Sequence, residues 1–199
     1  LVVKDVPGKS ISGHVVPQKG IDTARFAVER VREDILWVGY SKVILKSDNE
    51  PAIVALLTET LKGLKVSAVD QTMQEHSSPY DPKTNGSAEN VVRLVQGMLR
   101  TCKSCLEERM QRRVPPTHAL MAWMVKYVAW LLTVRLKSID GLTAYERTRG
   151  RAWNRRLLCF GEGCLARLPM KGPTHDEAGK LRPRWCRTVF LGFDRLTGE

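Results

Sequence analysis

The sequence predicts an α/β domain with a mixed sheet, followed by helices and then a small β domain. Three observations predict it. Short apolar runs alternate with helix-periodic segments up to about residue 69, as strands packed against helices would. A stretch with a period near 3.6 residues follows from about 87 to 136. After 156 the pattern changes to short strand-like runs rich in Gly, Cys and Phe.

Taken in order, the runs at 1–5 and 11–16 flank Pro7-Gly-Lys-Ser10 and read as a β-hairpin. Asp22 or Thr23 is placed to cap a helix whose apolar positions are Phe26, Ala27, Val31, Ile35 and Leu36, with Gly39 as its stop. Val43-Ile-Leu45 reads as a short buried strand with Asp48 just beyond it. Pro51 suits the first position of the next helix, which runs to about Leu61 before Gly63. A strand is expected at 65–69, then a polar loop over 70–86. Loops that long in a compact domain are usually functional or disordered. A helix over 87–112 breaks at Pro115-Pro116 and is followed by a second helix to about Leu136. Thr143-Ala-Tyr-Glu146 has the spacing of a capping box for a short helix.

The chain has 199 residues, 43% of them hydrophobic, which is enough for a real core. Its net charge of +11 is unevenly placed. Residues 1–99 carry 12 Lys and Arg against 12 Asp and Glu, whereas residues 100–199 carry 20 against 9. A neutral half followed by a basic half points to a polyanionic partner, most simply nucleic acid. The stretch from 147 to 156 is rich in arginine (Arg147, Arg149, Arg151, Arg155, Arg156) and reads as a linker or a phosphate-contacting segment. The apolar run at 119–134 contains Lys126 and is shorter than the roughly 20 residues a bilayer requires, so it reads as a buried helix.

Five scattered cysteines outline no disulfide framework, and a reducing compartment is expected. Cys102 and Cys105 form a single CxxC inside a helical pattern, and Cys102 reads as a small core residue rather than a zinc ligand. The histidines, His14, His76, His118 and His175, complete no Ser/His/Asp or Cys/His arrangement.

Two carboxylates stand out by position. Asp48 ends a strand, and Glu89 lies in the first turn of a helix beyond a Gly-containing loop. Each has a plain structural reading. Glu89 stabilises a helix N-terminus by its charge, worth about 0.3–1 kcal/mol. Asp48 caps the helix at Pro51. Brought together, two or three such groups also suit a pair of Mg²⁺ or Mn²⁺ ions, which favour hard oxygen ligands.

The surrounding residues resemble a known family. Lys46-Ser-Asp-Asn49 followed by Ser78-Pro-Tyr-Asp-Pro-Lys-Thr-Asn-Gly-Ser-Ala-Glu89 looks like the catalytic core of retroviral and retrotransposon integrases. Leu1-Val-Val-Lys-Asp5 and Ser12-Gly-His-Val-Val-Pro17 resemble its second and third strands. Gly141-Leu-Thr-Ala-Tyr-Glu146, Cys159-Phe-Gly161 and Val189-Phe-Leu-Gly-Phe193 resemble copia-type elements, in which a short helix leads into a small SH3-like β domain.

The resemblance implies an RNase H-like core over 1–114 lacking its first strand. A helical extension and basic linker would follow over 115–156, then an SH3-like domain over 157–199. It implies a polynucleotidyl transferase of a retrotransposon polyprotein that trims DNA 3′ ends and joins them to target DNA. Asp48 and Glu89 would be the second and third carboxylates of a site for two Mg²⁺ or Mn²⁺ ions. The first aspartate is expected upstream of Leu1, so this fragment is expected to be inactive alone. Tyr80, Lys83, Asn85, Arg93 and Arg100 would contact DNA, with Gly86 letting the loop bend. A homo-multimer on double-stranded DNA is expected, acting in the nucleus or in a cytoplasmic particle before entry. Glu50-Pro51 departs from the family, where glycine commonly follows the Asp-Asn pair, and the zinc-binding His/Cys domain that precedes many integrase cores is not expected within these residues. The alternatives are a catalytically dead DNA-binding remnant and an RNase H-like nuclease.

Overall fold

A computed structural model describes residues 1–64, 69–76, 86–167 and 183–195. The chain opens with the expected hairpin. Strand β1 (Val2–Lys4) pairs antiparallel with β2 (Ile11–Gly13), with Val3 opposite Ser12. The Asp5 carboxylate accepts from Gly8 N at 3.0 Å inside the turn, and Lys9 takes a left-handed conformation at φ 66°.

Helix α1 (Phe26–Val38) starts where Asp22 was expected to cap it. The two Asp22 oxygens accept from the backbone N–H groups of Phe26 and Ala27, each at 3.0 Å. These bonds hold the Asp22 carboxyl below the usual carboxylate range. Gly39 ends the helix at φ 83°, its N–H reaching Ile35 O at 3.2 Å. Strand β3 (Lys42–Ser47) leads to α2 (Pro51–Leu64), whose first N–H groups reach the Glu50 carbonyl.

Among the described residues the next ladder forms just after the segment expected as a strand at 65–69. Residues 65–68 lie outside the described residues, and Val69 is buried against α1 and α2. Strand β4 is Gln71–His76, inside the segment read as loop, and it runs parallel to β3 with Ile44 opposite Met73. The rest of the expected loop, 77–85, lies outside the described residues. The expected single mixed sheet is, among the described residues, two separate pairs, one antiparallel and one parallel. Both rest on one apolar cluster. Leu1 and, from β1, Val3, with Val43 and Leu45 from β3, pack on Val31, Ile35, Leu61 and Leu64 of α1 and α2.

Helix α3 (Gly86–Met110) and helix α4 (Leu120–Arg135) form the larger core with β2. Val91, Val95 and Leu106 of α3 meet Met124, Tyr127, Val128 and Leu132 of α4. Cys102 packs on this core as expected, and burial pushes its thiol pKa up. Thr133 pins β2 to α4, accepting from Ile11 N and donating to Ile11 O, both at 3.0 Å. No helix is long and apolar enough to cross a membrane among the described residues.

Helix α5 (Ala144–Arg149) has the capping box read from the sequence. Thr143 Oγ1 accepts from Glu146 N at 3.2 Å, and Glu146 accepts from Thr143 N at 2.7 Å. Strands β5 (Gly163–Arg167) and β6 (Trp185–Val189) pair antiparallel as a ribbon.

Candidate metal and nucleic-acid site

Asp48 follows the last residue of β3, at the carboxyl end of a parallel strand, where α/β folds collect their functional groups. It is exposed. Its carboxylate makes no hydrogen bond or ion pair with a described residue, and it does not cap α2. That helix opens on Pro51, which has no N–H to cap, and on the Glu50 carbonyl. Glu50 in turn is paired with Lys19 at 2.5 Å. The unusual Glu50-Pro51 turn therefore closes the helix start without using Asp48. Beside it, Lys46 reaches Glu75 at 3.3 Å across the β3–β4 pair.

Glu89 lies in the first turn of α3, exposed, and joins no described residue by hydrogen bond or ion pair. Its helix is set by burial of the opposite face. At 3.6 residues per turn, Glu89, Arg93, Gln96 and Arg100 fall on one stripe, while Val91, Val95 and Leu106 turn into the core. Arg93 and Arg100 are exposed, and neither forms an ion pair with a described residue. The stripe thus carries one carboxylate at the helix start and two guanidinium groups further along.

One contact here was not foreseen. Lys4 Nζ, at the end of β1, donates to Ser87 Oγ at 2.9 Å and ties the first turn of α3 to the hairpin. The two residues are 83 positions apart, and neither carries a local signal of the pairing.

Asp48 and Glu89 stand on separate elements. Among the described residues no group of three or more His, Cys, Asp or Glu is placed to hold a metal ion. The two carboxylates have the hard oxygen donors that Mg²⁺ or Mn²⁺ prefer, but two are fewer than a closed site uses. Tyr80, Lys83 and Asn85 lie outside the described residues. Gly86, expected to bend the loop, is the first residue of α3. Of the arginine-rich stretch read as a linker, Arg147 and Arg149 lie in α5, where Arg147 pairs with Asp140 and Arg149 donates to Trp37 O at 2.9 Å while stacking on its ring. Arg151 and Arg156 are exposed and engage no described residue.

The fold has counterparts among solved structures. One chain of a simian T-cell lymphotropic virus intasome, solved in complex with a PP2A regulatory subunit, superposes with a TM-score of 0.56. Identity is 14%, over 92% of this chain and 58% of that one. The fold is integrase-like. The catalytic core domain of bovine immunodeficiency virus (BIV) integrase matches at a TM-score of 0.46 and 18% identity, covering 74% of this chain and 82% of that one. No protein-family model matches the sequence, and no curated protein matches it.

Proposed function

We propose that the chain is the core and C-terminal part of a copia-type retrotransposon integrase, which trims DNA 3′ ends and joins them to target DNA. The observation that carries this reading is a pair of exposed carboxylates without partners among the described residues, on an integrase-like fold. Asp48 stands at the end of β3 and Glu89 in the first turn of α3, with Arg93 and Arg100 continuing the Glu89 stripe. Carboxylates kept solvated and unpaired are not stabilising the fold through ion pairs, and they remain available to a ligand.

In this reading Asp48 and Glu89 would hold divalent ions, which would supply charge stabilisation to the oxygens of an in-line displacement at phosphorus. The protein itself positions the DNA. Arg93 and Arg100 take phosphates along α3, their planar forks suited to bidentate pairing. Water is the nucleophile in trimming and the DNA 3′-hydroxyl in joining. The third carboxylate would come from a segment outside these 199 residues. A strand inserted between β1 and β3 would complete the sheet, because both rest on one apolar cluster and no ladder joins them. Tyr80, Lys83 and Asn85 would lie against the DNA end. The active form would be a homo-multimer on double-stranded DNA, working in the nucleus or in a cytoplasmic particle before entry.

A second reading rests on the lack of a three-ligand group among the described residues. In that reading the chain is a remnant that binds DNA without chemistry. Incubating an upstream-extended protein with end-labelled duplex DNA, in Mg²⁺ or in EDTA, separates the two. The proposed function predicts joined products in Mg²⁺ only. Binding that persists in EDTA with no product in either condition supports the remnant. Cleavage without joining identifies a nuclease.

A further inference from the structure

The segment after β6 does not leave the protein as a loose tail. Phe190 and Leu191 pack on the α3–α4 core, and Phe193 packs on the aromatic cluster of Trp37, Trp130 and Tyr145. The Phe190 ring meets Tyr127 edge-on at 6.1 Å, and Phe193 meets Trp153 at 5.1 Å. Asp194 pairs with Lys126 of α4 at 3.5 Å.

Arg195 goes deeper. Its side chain is 10% exposed, and the Asp34 carboxylate beside it is 7% exposed. One guanidinium nitrogen donates to Ser12 Oγ and lies 3.5 Å from Asp34 Oδ1. The other donates to Ile11 O and to Thr133 Oγ1. The guanidinium carbon lies 4.8 Å from the Trp37 ring centroid and 5.3 Å from that of Trp130. The Arg195 carbonyl accepts from the Trp37 indole N–H at 3.1 Å. Asp34 is also held by His14 Nε2 at 2.8 Å. A single side chain thus joins β2, α1 and α4.

Desolvating a cation is expensive, and it persists in a core only where its hydrogen-bonding capacity is met. Here oxygen acceptors and two aromatic faces meet it, a fit that the planar fork of Arg supplies and an ammonium does not. The chain entering the ribbon is fastened at the same end. Phe160 is buried in the α3–α4 core, Arg109 donates to its carbonyl at 2.8 Å, and Gly161 N reaches Phe190 O at 2.8 Å.

We propose that Phe190–Arg195 is a strap that completes the α1–β2–α4 core and locks the β5–β6 ribbon to it, so that core and ribbon unfold as one unit. On this account the boundary expected at 157 separates chain segments and not folding units. The ribbon is carried at a fixed position relative to the exposed stripe of α3.

The test uses the full chain, Arg195→Met, Arg195→Lys, and a chain ending at Val189. Thermal unfolding is followed by tryptophan fluorescence, with hydrogen exchange read at the Trp37 indole and across α1 and α4. The strap predicts one transition in the full chain and a Tm lower by about 6 °C or more in both Arg195 variants. It also predicts at least tenfold faster exchange at the Trp37 indole and in α1 and α4, with no rescue by lysine. The shortened chain should lose α1 and α4 protection or fail to fold. A ribbon that melts separately while α1 and α4 keep their protection overturns the proposal. So does a chain ending at Val189 with the full-length Tm.

Discussion

Arg93 and Asp22 are both charged residues at helices, and they are expected to behave in opposite ways. Arg93 is exposed and makes no ion pair with a described residue, so replacing it should leave stability alone and change only what the chain binds. For Arg93→Ala, the slope of log K against log salt for duplex DNA should become shallower by about 0.9, the share of a single phosphate. An unchanged slope removes Arg93 from the DNA-binding surface. Asp22 is buried and bound by two backbone N–H groups that lower its pKa. A depressed folded-state pKa adds stability that is complete above the unfolded value, near 3.9, and is lost as pH falls toward the folded value. Asp22→Asn should therefore lower Tm at pH 7 and flatten the fall in Tm below about pH 4. Equal acid sensitivity in both proteins would show that Asp22 is not responsible. Asp22 was legible in the sequence because a cap is a local signal. Arg195 was not legible. Its partners lie 62 to 184 positions away, and nothing near it marks a buried cation.

At the scale of elements, what could be read depended on whether the cause was local. Helix α1 ends at Gly39 and α5 begins with the Thr143–Glu146 box because those residues satisfy backbone groups of their own helix. Strand β4 was missed for the opposite reason. Gln71-Thr-Met-Gln-Glu-His76 is polar and Met73 points to solvent, so it has no buried-strand pattern. Its ladder is supplied by β3, and the segment is a strand only in that company. Helix α3 shows both kinds of information, since its buried stripe was visible as periodicity while its tie to Lys4 was not. That buried stripe sets the direction in which Glu89 faces. Leu106, 2% exposed, fills the junction of α3, α4 and Phe160. Leu106→Ala should cost about 2–5 kcal/mol in denaturant unfolding with little change in slope. A destabilisation under about 1 kcal/mol would mean that this junction is not part of the core.

Over the whole molecule, a neutral first half supplies the two carboxylates and a basic second half supplies most of the cations. Asp48 follows β3 and Glu89 lies in the first turn of α3, and the ring cluster around Trp130 holds the second half against the first. Motif order made the fold legible, because each motif marks the end of an element. Among the described residues no group of three or more His, Cys, Asp or Glu forms, so the proposed ligand set is incomplete within them. The most direct test is strand transfer in Mg²⁺ by an upstream-extended protein, comparing wild type with Asp48→Asn and Glu89→Gln and measuring DNA binding alongside. The account predicts joining by the wild type, a fall in joining of at least about a hundredfold in each variant, roughly 2.7 kcal/mol of barrier, and DNA binding within about twofold of wild type. Joining at the wild-type rate by either variant would contradict it.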